Sequence, residues 1–441
     1  MSSRKHVSGI GPGLTTVFSI ACGLLVANIY YAQALIGEIA PALGLKGGVA
    51  GLLVTLTQLG YGTGLFFVVS LADKIENKRL IVLLIAGACL GQLGTWTATS
   101  AIGFLLCSFM TGFCSVGAQI MVPLAAHLAP EERRGQIVGN IMSGLIAGIM
   151  LARPVANGLA ALAGWRAIFG VSAIGMAALA LLVLLAVPER RPTGKLSYGQ
   201  LLRSSVSLLV KTPAIRRRTA YQAAMFAAFN LFWTAVPLLL ASRFGFGQAE
   251  IALFALAGAG GALAAPLAGR IGDRGYIRVG TAVALGSAIV AFLTAGWAAA
   301  AHALILLAVA AVVLDAATQL NQVLGQRVLF SIIPEARGRI NAINMTMVFL
   351  AGALGSTLAT VSLDHGGWAA TVGVGVALLI AALLLFLTER LTPITIQKTT
   401  LQRVQAQSKC NRNAPHDLLG AGEAENDTAE PLFHPRFDTL E

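Results

Sequence analysis

Charged residues are scarce in this chain. Asp, Glu, Lys and Arg together make up only 11% of its 441 residues, whereas soluble domains contain about 25%. Hydrophobic residues account for 56% of the sequence, and a soluble protein has too little interior to bury that much apolar surface. The composition therefore excludes the soluble classes of enzyme and binding domain and indicates a membrane protein.

Cysteines and catalytic motifs are equally few. Four of the five cysteines lie in apolar runs without metal-ligand spacing, so they predict neither a disulfide framework nor a metal site. The sequence has no phosphate-binding loop of the Gly-x-x-x-x-Gly-Lys-Ser/Thr type, and no Ser/His/Asp set that would lie at one depth. We therefore expect no ATP-driven pump, no cofactor and no enzyme, with an intramembrane enzyme as the least favoured alternative.

Long apolar runs fill most of the sequence. A helix needs roughly 20 apolar residues to cross a bilayer, so the runs predict an all-α membrane protein with twelve transmembrane helices. The predicted spans cover residues 13–37, 48–70, 80–98, 101–127, 136–163, 165–187, 217–241, 250–271, 279–298, 302–331, 339–363 and 366–387.

The positions of Lys and Arg predict the orientation, because these residues stay on the cytoplasmic side. With both termini inside, the outward loops hold only Lys46, Arg166 and Arg243. The inward side holds many more, including the cluster Arg216, Arg217 and Arg218 where the linker meets span 7. Since the cations are spread over many short loops, they indicate topology and not nucleic-acid binding.

Short phrases recur in the same order in the two parts of the chain. Asp73 recurs as Asp273, Pro130-Glu131 as Pro334-Glu335, and Gly164-Trp165 as Gly367-Trp368. Such repeats predict two pseudo-symmetric six-helix halves, an organisation typical of secondary transporters. We expect a first half at 1–187, a cytoplasmic linker at 188–216, a second half at 217–387, and a disordered cytoplasmic tail at 388–441.

The repeated phrases resemble the loop signature of the major facilitator superfamily, Gly-x-Leu-x-Asp-Arg-x-Gly-Arg-Arg. The first copy keeps Leu71, Asp73, Lys78 and Arg79, and the second keeps Gly269, Asp273 and Arg274. The segment Asn28–Gln33 and the Leu314-Asp315 pair also resemble a bacterial subgroup of drug and metabolite efflux carriers. In span 5 the Gly-Pro pair of the antiporter signature is replaced by Ala152-Arg153.

The resemblance implies a gating role for the charged loop residues. It places Asp73 against the start of span 11 near Arg339, and Asp273 against the start of span 5 near Gln136, when the cytoplasmic side is closed. A carboxylate is stabilised at the positive N-terminus of a helix. The alternative is that these acids only balance neighbouring cations. The gating candidates are Asp73, Lys74, Lys78, Arg79, Arg133, Arg134, Asp273, Arg274, Arg337 and Arg339.

Two charged residues lie deep in the predicted spans. Asp315 is the only deep acid among the 19 acidic residues, and Arg153 is the only base at a similar depth. At a rise of about 1.5 Å per residue both lie about 25 Å from the inner face. Burying a charge there costs about 2.5–3.5 kcal/mol, so such residues are functional candidates. We expect Asp315 and Arg153 to couple protons and substrate; the alternative is a static ion pair between two helices.

Uncharged polar and aromatic side chains could line a central cavity. Phe226, Phe229, Phe232 and Trp233 fall on one face of span 7 by helical spacing. The alternatives are interhelical hydrogen bonds for the polar residues and core packing for the aromatic ones. The cavity-lining candidates are Asn28, Tyr31, Gln33, Gln58, Tyr61, Gln119, Phe226, Asn230, Trp233, Gln319 and Gln322.

These features predict a monomeric secondary active transporter in a bacterial inner membrane. Proton-coupled efflux of a small organic molecule by alternating access is the preferred mode. The first alternative is a metabolite facilitator or symporter, and the second is a transporter-like membrane sensor. The expected partners are the substrate, protons and the lipid bilayer.

Overall fold

The computed structural model describes residues 10–192, 197–333 and 336–391. Helices make up nearly all of these ranges, and no β-strand occurs within them. The predicted disordered tail lies almost wholly outside the described residues. The domain boundaries drawn from the sequence remain predictions.

The first part of the chain contributes nine helices to the described ranges. They are α1 (Pro12–Ala27), α2 (Tyr31–Ala34), α3 (Ile36–Ala42), α4 (Leu52–Leu71), α5 (Asn77–Thr97), α6 (Ala101–Cys114), α7 (Gly117–Leu128), α8 (Arg134–Ala163) and α9 (Ala167–Ala186). The second part contributes α10 (Tyr198–Lys211), α11 (Pro213–Phe244), α12 (Gln248–Ala259), α13 (Ala264–Asp273), α14 (Ile277–Ala300), α15 (Leu304–Ile332) and α16 (Arg337–Leu387).

These helices form twelve spans in two halves, and the predicted fold class is confirmed. Among the described residues, nine continuous helical segments are long and apolar enough to cross a membrane. The longest, α16, has 51 residues and contains two spans, because Gly367 has non-helical backbone angles of φ 62° and ψ −162°. Span 1 is formed by α1, α2 and α3, and span 8 by α12 and α13, so both are interrupted helices.

The predicted linker contains a helix that the apolar runs did not reveal. In α10, the Ser197 hydroxyl accepts a hydrogen bond from the Gln200 amide, and the Gln200 side chain accepts one from the Ser197 amide. This reciprocal capping satisfies two free N–H groups at the helix start. Tyr198 Oη donates to Phe67 O at 3.0 Å, and Arg339 Nη1 donates to Ser204 Oγ at 3.0 Å. The helix therefore packs against both α4 and α16.

Span 7 begins earlier than predicted. The structure starts α11 at Pro213, a residue whose fixed φ suits the first helical turn. Arg218 therefore lies inside the helix and is only 3% exposed. Arg218, counted among the linker cations by the sequence analysis, is thus a buried helix residue, and its cytoplasmic location remains a prediction.

The two halves meet closely on the predicted outer side. Thr55 Oγ1 and Thr357 Oγ1 are 2.8 Å apart, and Thr360 Oγ1 donates to Gly48 O at 2.8 Å. The backbone of the 3₁₀ turn Gly47–Gly51 lies close to α16. The approach is so close that a Cβ added at Gly48 would lie 3.0 Å from Val361 Cγ2. Small residues permit such contacts between helices in lipid.

The predicted cytoplasmic side is more open. Gln136 and Asn140, in the first turns of α8, are exposed. The side chain of Asp273, at the end of α13, is 67% exposed. Within the described residues no hydrogen bond or ion pair joins these two helix ends, whereas Arg339 of the second half lies near Asp73 of the first half on the same side.

Candidate functional site

Trp233 connects the two deep charged residues. Its indole Nε1 donates a hydrogen bond of 2.7 Å to Asp315 Oδ1 on α15. The Arg153 guanidinium on α8 lies over the Trp233 ring, with Cζ 4.5 Å from the ring centroid. In the sequence analysis, a direct ion pair between Asp315 and Arg153 is the alternative to a coupling role. Within the described residues they form no ion pair shorter than 4.0 Å, and the indole stands between them.

Arg153 is surrounded by aromatic rings from both halves. Its Cζ also lies 5.0 Å from the Tyr30 ring centroid and 5.4 Å from that of Phe229. Attraction between a cation and the face of an aromatic ring strengthens when water is excluded, and Arg153 is 6% exposed. These rings therefore reduce the cost of burying the guanidinium without neutralising its charge.

A polar network extends from Arg153 across the boundary between the halves. Gln33 Oε1 accepts hydrogen bonds from Arg153 Nε at 3.3 Å and Nη2 at 3.0 Å. Gln33 Nε2 donates to Asn230 Oδ1 at 3.2 Å and to Thr234 Oγ1 at 3.1 Å. Gln58 Nε2 donates to the same Asn230 oxygen at 3.0 Å. The network thus joins span 1, span 2 and span 5 to span 7.

The interruption of span 1 places Gln33 in this network. The helix breaks after Ala27 and resumes at Tyr31, so the short helix α2 carries Gln33 at the centre of the fold. Interrupted helices at mid-membrane depth form substrate and ion sites in secondary transporters. Gln58 Oε1 is buried in the same region without a hydrogen-bond partner, which leaves one acceptor free beside Asn230.

An aromatic group lies next to the network. Phe226 stacks with Phe229 at 5.8 Å and contacts Phe349 at 5.0 Å. Tyr61 lies 4.4 Å from Phe349 and accepts a hydrogen bond of 3.2 Å from Gln119 Nε2. The candidates Phe226, Tyr61 and Gln119 therefore cluster beside the polar network, where they contribute one continuous surface from both halves.

Not all cavity candidates reach this centre. Asn28 accepts a hydrogen bond of 2.6 Å from Ser172 and donates to Met176 Sδ at 3.5 Å. Asn28 therefore points into the first half, toward span 6, and Ser172 also interacts with Tyr31. Gln319 and Gln322 are partly buried on α15. Within the described part of the chain, their side chains form no hydrogen bond to the central network.

The predicted aromatic face of span 7 divides into two groups. Phe226, Phe229 and Trp233 face the centre, but Phe232 packs against Phe292 at 5.9 Å and Trp368 at 6.0 Å. For Phe232 the alternative of core packing is correct. Helical spacing did not separate the two roles, because adjacent positions on a buried helix meet different neighbours.

Asp73 lies at the end of α4 among cations of both halves. Burial raises the pKa of its carboxyl, and the positive charges of Arg190, Arg339 and Lys74 oppose that rise. Proximity to Arg339 agrees with the expectation that Asp73 faces the start of span 11. On the same loop, Arg79 lies 3.8 Å from Glu76.

Asp273 has a different partner from the expected one. It forms an ion pair with Arg327 of α15, within its own half. Its predicted contact with the start of span 5 is absent from the described residues in this arrangement and remains a prediction for a cytoplasmic-closed state. Among the other gating candidates, Arg337 Nε donates to Phe330 O at 2.9 Å, whereas Arg133, Arg134 and Arg274 are exposed.

Several residues of the site were missed by the sequence analysis. Thr234 joins Gln33 to Ser356, with 3.3 Å between the two hydroxyl groups. Tyr30 completes the aromatic surround of Arg153. Glu76 accepts backbone hydrogen bonds from Lys78 and Arg79 at 2.8 Å. Of these residues, only Glu76 could have been found from the sequence. It precedes an apolar run, and acidic side chains often cap the start of a helix.

No group of three or more His, Cys, Asp or Glu residues within the described part of the chain is arranged to hold a metal ion. The chemistry available at the centre is therefore that of one acid, one guanidinium, amide and hydroxyl groups, and aromatic rings.

Comparisons with known proteins identify the architecture. The model of the Major Facilitator Superfamily matches residues 16–219 and 219–415. The chain is 40% identical to the transporter YgaY of Escherichia coli O157:H7 over 86% of this chain and 95% of the relative. It is 32% identical to SCO4007 of Streptomyces coelicolor, named as a transporter, over 86% of this chain and 89% of the relative.

More distant similarities extend to proteins with named activities. A chloramphenicol resistance protein of Streptomyces lividans is 26% identical, covering 58% of this chain and 66% of the relative. A solved transporter of the POT family, in complex with 5-aminolevulinic acid, superposes with a TM-score of 0.71 at 14% identity. That match covers 88% of this chain and 99% of the solved one, and it supports the fold alone.

Proposed function

Because the chain belongs to the Major Facilitator Superfamily and is a multi-pass membrane transporter, we propose that it exports a small organic molecule in exchange for protons. The observation that carries the proposal is the contact of Asp315 and Arg153 with the same side chain, Trp233. One acid and one cation that share this side chain without a direct ion pair give the proposed carrier groups that can respond to both solute and proton.

Alternating access is supported by the unequal contacts at the two ends of the halves. Thr55, Thr357 and Thr360 close the predicted outer side, while the first turns of α8 are exposed on the other side. In this proposal the arrangement is a state in which the α8 side of the cytoplasmic face is accessible, while Asp73 and Arg339 of the two halves remain close. The Gln33–Asn230 and Gln58–Asn230 hydrogen bonds join the two halves while the outer side is closed. A solute that binds to these side chains would replace the hydrogen bonds. Solute binding would therefore weaken the closure of the outer side.

Asp315 is the proton-binding group in this proposal. When the carboxyl is ionised, it accepts the Trp233 hydrogen bond and attracts Arg153 through the intervening ring. Exchange requires that the solute and the proton exclude each other, so the solute binds while Asp315 is ionised, and protonation of Asp315 removes its attraction for Arg153 and releases the solute. The name of the chloramphenicol resistance relative favours export over import.

Transport into inverted membrane vesicles tests the proposal. The panel would contain amphipathic compounds and amino acids, and the vesicles would carry an imposed pH gradient. We expect an acidic interior to drive solute accumulation, and vesicles with Asp315→Asn to lose this accumulation. Accumulation driven by an alkaline interior would indicate a symporter. Equilibration that ignores the gradient would indicate a facilitator, and no movement of any solute would favour a sensor.

The proposed setting is a bacterial inner membrane, with both termini in the cytoplasm. Single cysteines introduced at Gly164 and Arg203, in a variant without native cysteines, test it by labelling in whole cells. A membrane-impermeant reagent should label position 164 in intact cells and position 203 only after permeabilisation. Labelling of position 203 in intact cells would show that the topology is the reverse of the proposed one.

A further inference from the structure

A second group of buried polar residues lies away from the central site, in the second half of the fold. Arg218 and Gln222 of α11 are each 3% exposed, and Asn321 of α15 is 1% exposed. Nε and Nη2 of Arg218 and both amide atoms of Gln222 and Asn321 are buried without a hydrogen-bond partner. Buried polar atoms are nearly always paired, so a cluster of atoms without partners in the protein calls for ordered water or an ion as the partner.

These unpaired atoms converge on one point of α15. A Cβ added at Gly325 would lie 2.9 Å from Gln222 Oε1 and 3.2 and 3.5 Å from Nε and Nη2 of Arg218. Asn321 lies one helical turn before Gly325 and therefore on the same face. Gly325 therefore lets Gln222 Oε1 and the guanidinium of Arg218 approach the backbone of α15 more closely than a side chain at this position would permit.

The charge of Arg218 is only indirectly balanced. Its Nη1 donates to Tyr221 Oη at 3.1 Å and to Thr281 Oγ1 at 3.0 Å. Tyr221 in turn donates to Glu389 Oε2 at 3.2 Å. Glu389 is thus separated from the guanidinium by a tyrosine hydroxyl and reaches only its Nη1 side. A buried cation without a direct counter-ion is costly, and the Nε and Nη2 side has none among the described residues.

We propose that a small inorganic anion of the size of chloride binds between Arg218, Gln222 and Asn321 at Gly325. The anion accepts hydrogen bonds from Nε and Nη2 of Arg218 and from the Asn321 amide. Rotation of the Gln222 amide exchanges its oxygen and nitrogen, so that Nε2 also donates. The site shares α11 and α15 with Trp233 and Asp315, but it lies nearer the start of α11 and the end of α15, where the anion would fix span 7 against span 10 within one half.

Bromide is a suitable probe, because it replaces chloride and scatters X-rays anomalously. Crystals of the full chain grown in bromide should show an anomalous peak beside Arg218. In lipid nanodiscs, the thermal unfolding midpoint should rise saturably with bromide when bromide replaces gluconate at constant ionic strength. Arg218→Met should abolish the rise, while the exposed control Arg216→Met should retain it.

A second variant keeps the experiment decisive if Arg218→Met does not fold. Gly325→Ala retains the charge and places a methyl group in the proposed site, from which the flexible Arg218 and Gln222 side chains can move. It should raise the bromide concentration for half-maximal stabilisation at least several-fold, whereas Gly286→Ala, whose added Cβ meets no atom within 4 Å, should not. No anomalous peak and no saturable stabilisation would mean that water alone fills the site, which would overturn the proposal. A rise that persists in Gly325→Ala would overturn it as well, because the anion would then bind elsewhere.

Discussion

Trp233 donates its indole hydrogen bond to Asp315 at 2.7 Å while the face of the same ring supports Arg153. One side chain therefore holds an acid and a base that do not touch each other. In the proposed mechanism, a change in the charge of Asp315 acts on Arg153 through the position of this ring, and Trp233 is then a positioning residue of the site.

The first prediction concerns this hydrogen bond. Trp233→Phe removes the donor and keeps an aromatic ring near Arg153. Since hydrogen bonds to charged groups contribute about 1.5–3 kcal/mol, we expect the pH dependence of transport to shift while folded protein is still obtained. The matched control is Trp297→Phe, because Trp297 is 63% exposed on α14. An unchanged pH profile in Trp233→Phe would show that the contact has no part in coupling.

The second prediction separates proton coupling from a static role of Asp315 and Arg153. Asp315→Asn should abolish pH-driven accumulation but leave solute exchange and folded yield largely intact, because Asn keeps the shape of Asp. Arg153→Ala should reduce both solute exchange and folded yield, because it leaves Gln33 Oε1 without its hydrogen-bond donor.

The double replacement Asp315→Leu and Arg153→Leu completes this test. A static pair predicts low folded yield in each single leucine variant and restored yield with normal coupling in the double. Proton coupling predicts that the double variant never concentrates solute, whatever its yield. Measuring folded yield by size-exclusion chromatography beside flux distinguishes the two outcomes.

The third prediction concerns the two loop acids. Asp73→Asn and Asp273→Asn should slow transport cycling more than they reduce folding, because each removes a charge that favours one state. Such contacts with helix ends are worth about 0.3–1 kcal/mol when exposed and up to about 2 kcal/mol when partly buried. A small difference suffices to shift a balanced two-state carrier. Wild-type flux at equal expression in both variants would reject the gating role.

The fourth prediction concerns close packing of α4 and α6 through Gly112. A Cβ at Gly112 would overlap the backbone oxygen of Thr57, and backbone cannot move aside as a flexible side chain can. Overpacking of this kind costs about 1–3 kcal/mol. We therefore expect Gly112→Ala to lower the thermal unfolding midpoint, while Gly175→Ala, where nothing lies within 4 Å, should leave it unchanged.

The fifth prediction concerns Glu76, which caps α5. Burial by itself raises the pKa of this carboxyl, but hydrogen bonds from the backbone of Arg79, Lys78 and Arg190 outweigh it and lower the pKa below its usual value. A lowered pKa means that the ionised form stabilises the fold above the unfolded-state pKa. That stability is lost as the pH falls through the folded-state pKa.

Glu76→Gln should therefore reduce stability at neutral pH by about 1 kcal/mol, the usual value for a helix cap. The difference from the wild type should shrink as the pH falls below about 4.5, where the unfolded carboxyl becomes protonated. Unfolding midpoints measured across this pH range check the prediction. The exposed Glu131→Gln serves as the control, and an equal pH dependence of both variants would contradict the capping role.

The sequence was sufficient for the span count and the two halves. These properties depend on the length of apolar runs and on repeated phrases, both of which can be read along the chain. The interruption of span 1 was not predicted, since Asn28, Ile29 and Tyr30 lie inside an otherwise continuous apolar run.

Only the tertiary structure decided which side chains meet. Gln33 reaches Asn230 and Thr234, and Asp315 reaches Trp233 instead of Arg153, although these residues are far apart in sequence. The structure also buried Arg218 and turned Asn28 and Phe232 away from the centre. Hydrophobicity determines which residues enter the membrane. The contacts of each side chain depend on how its helix is rotated and how closely it approaches its neighbours. Rotation and approach result from packing against all neighbouring helices at once.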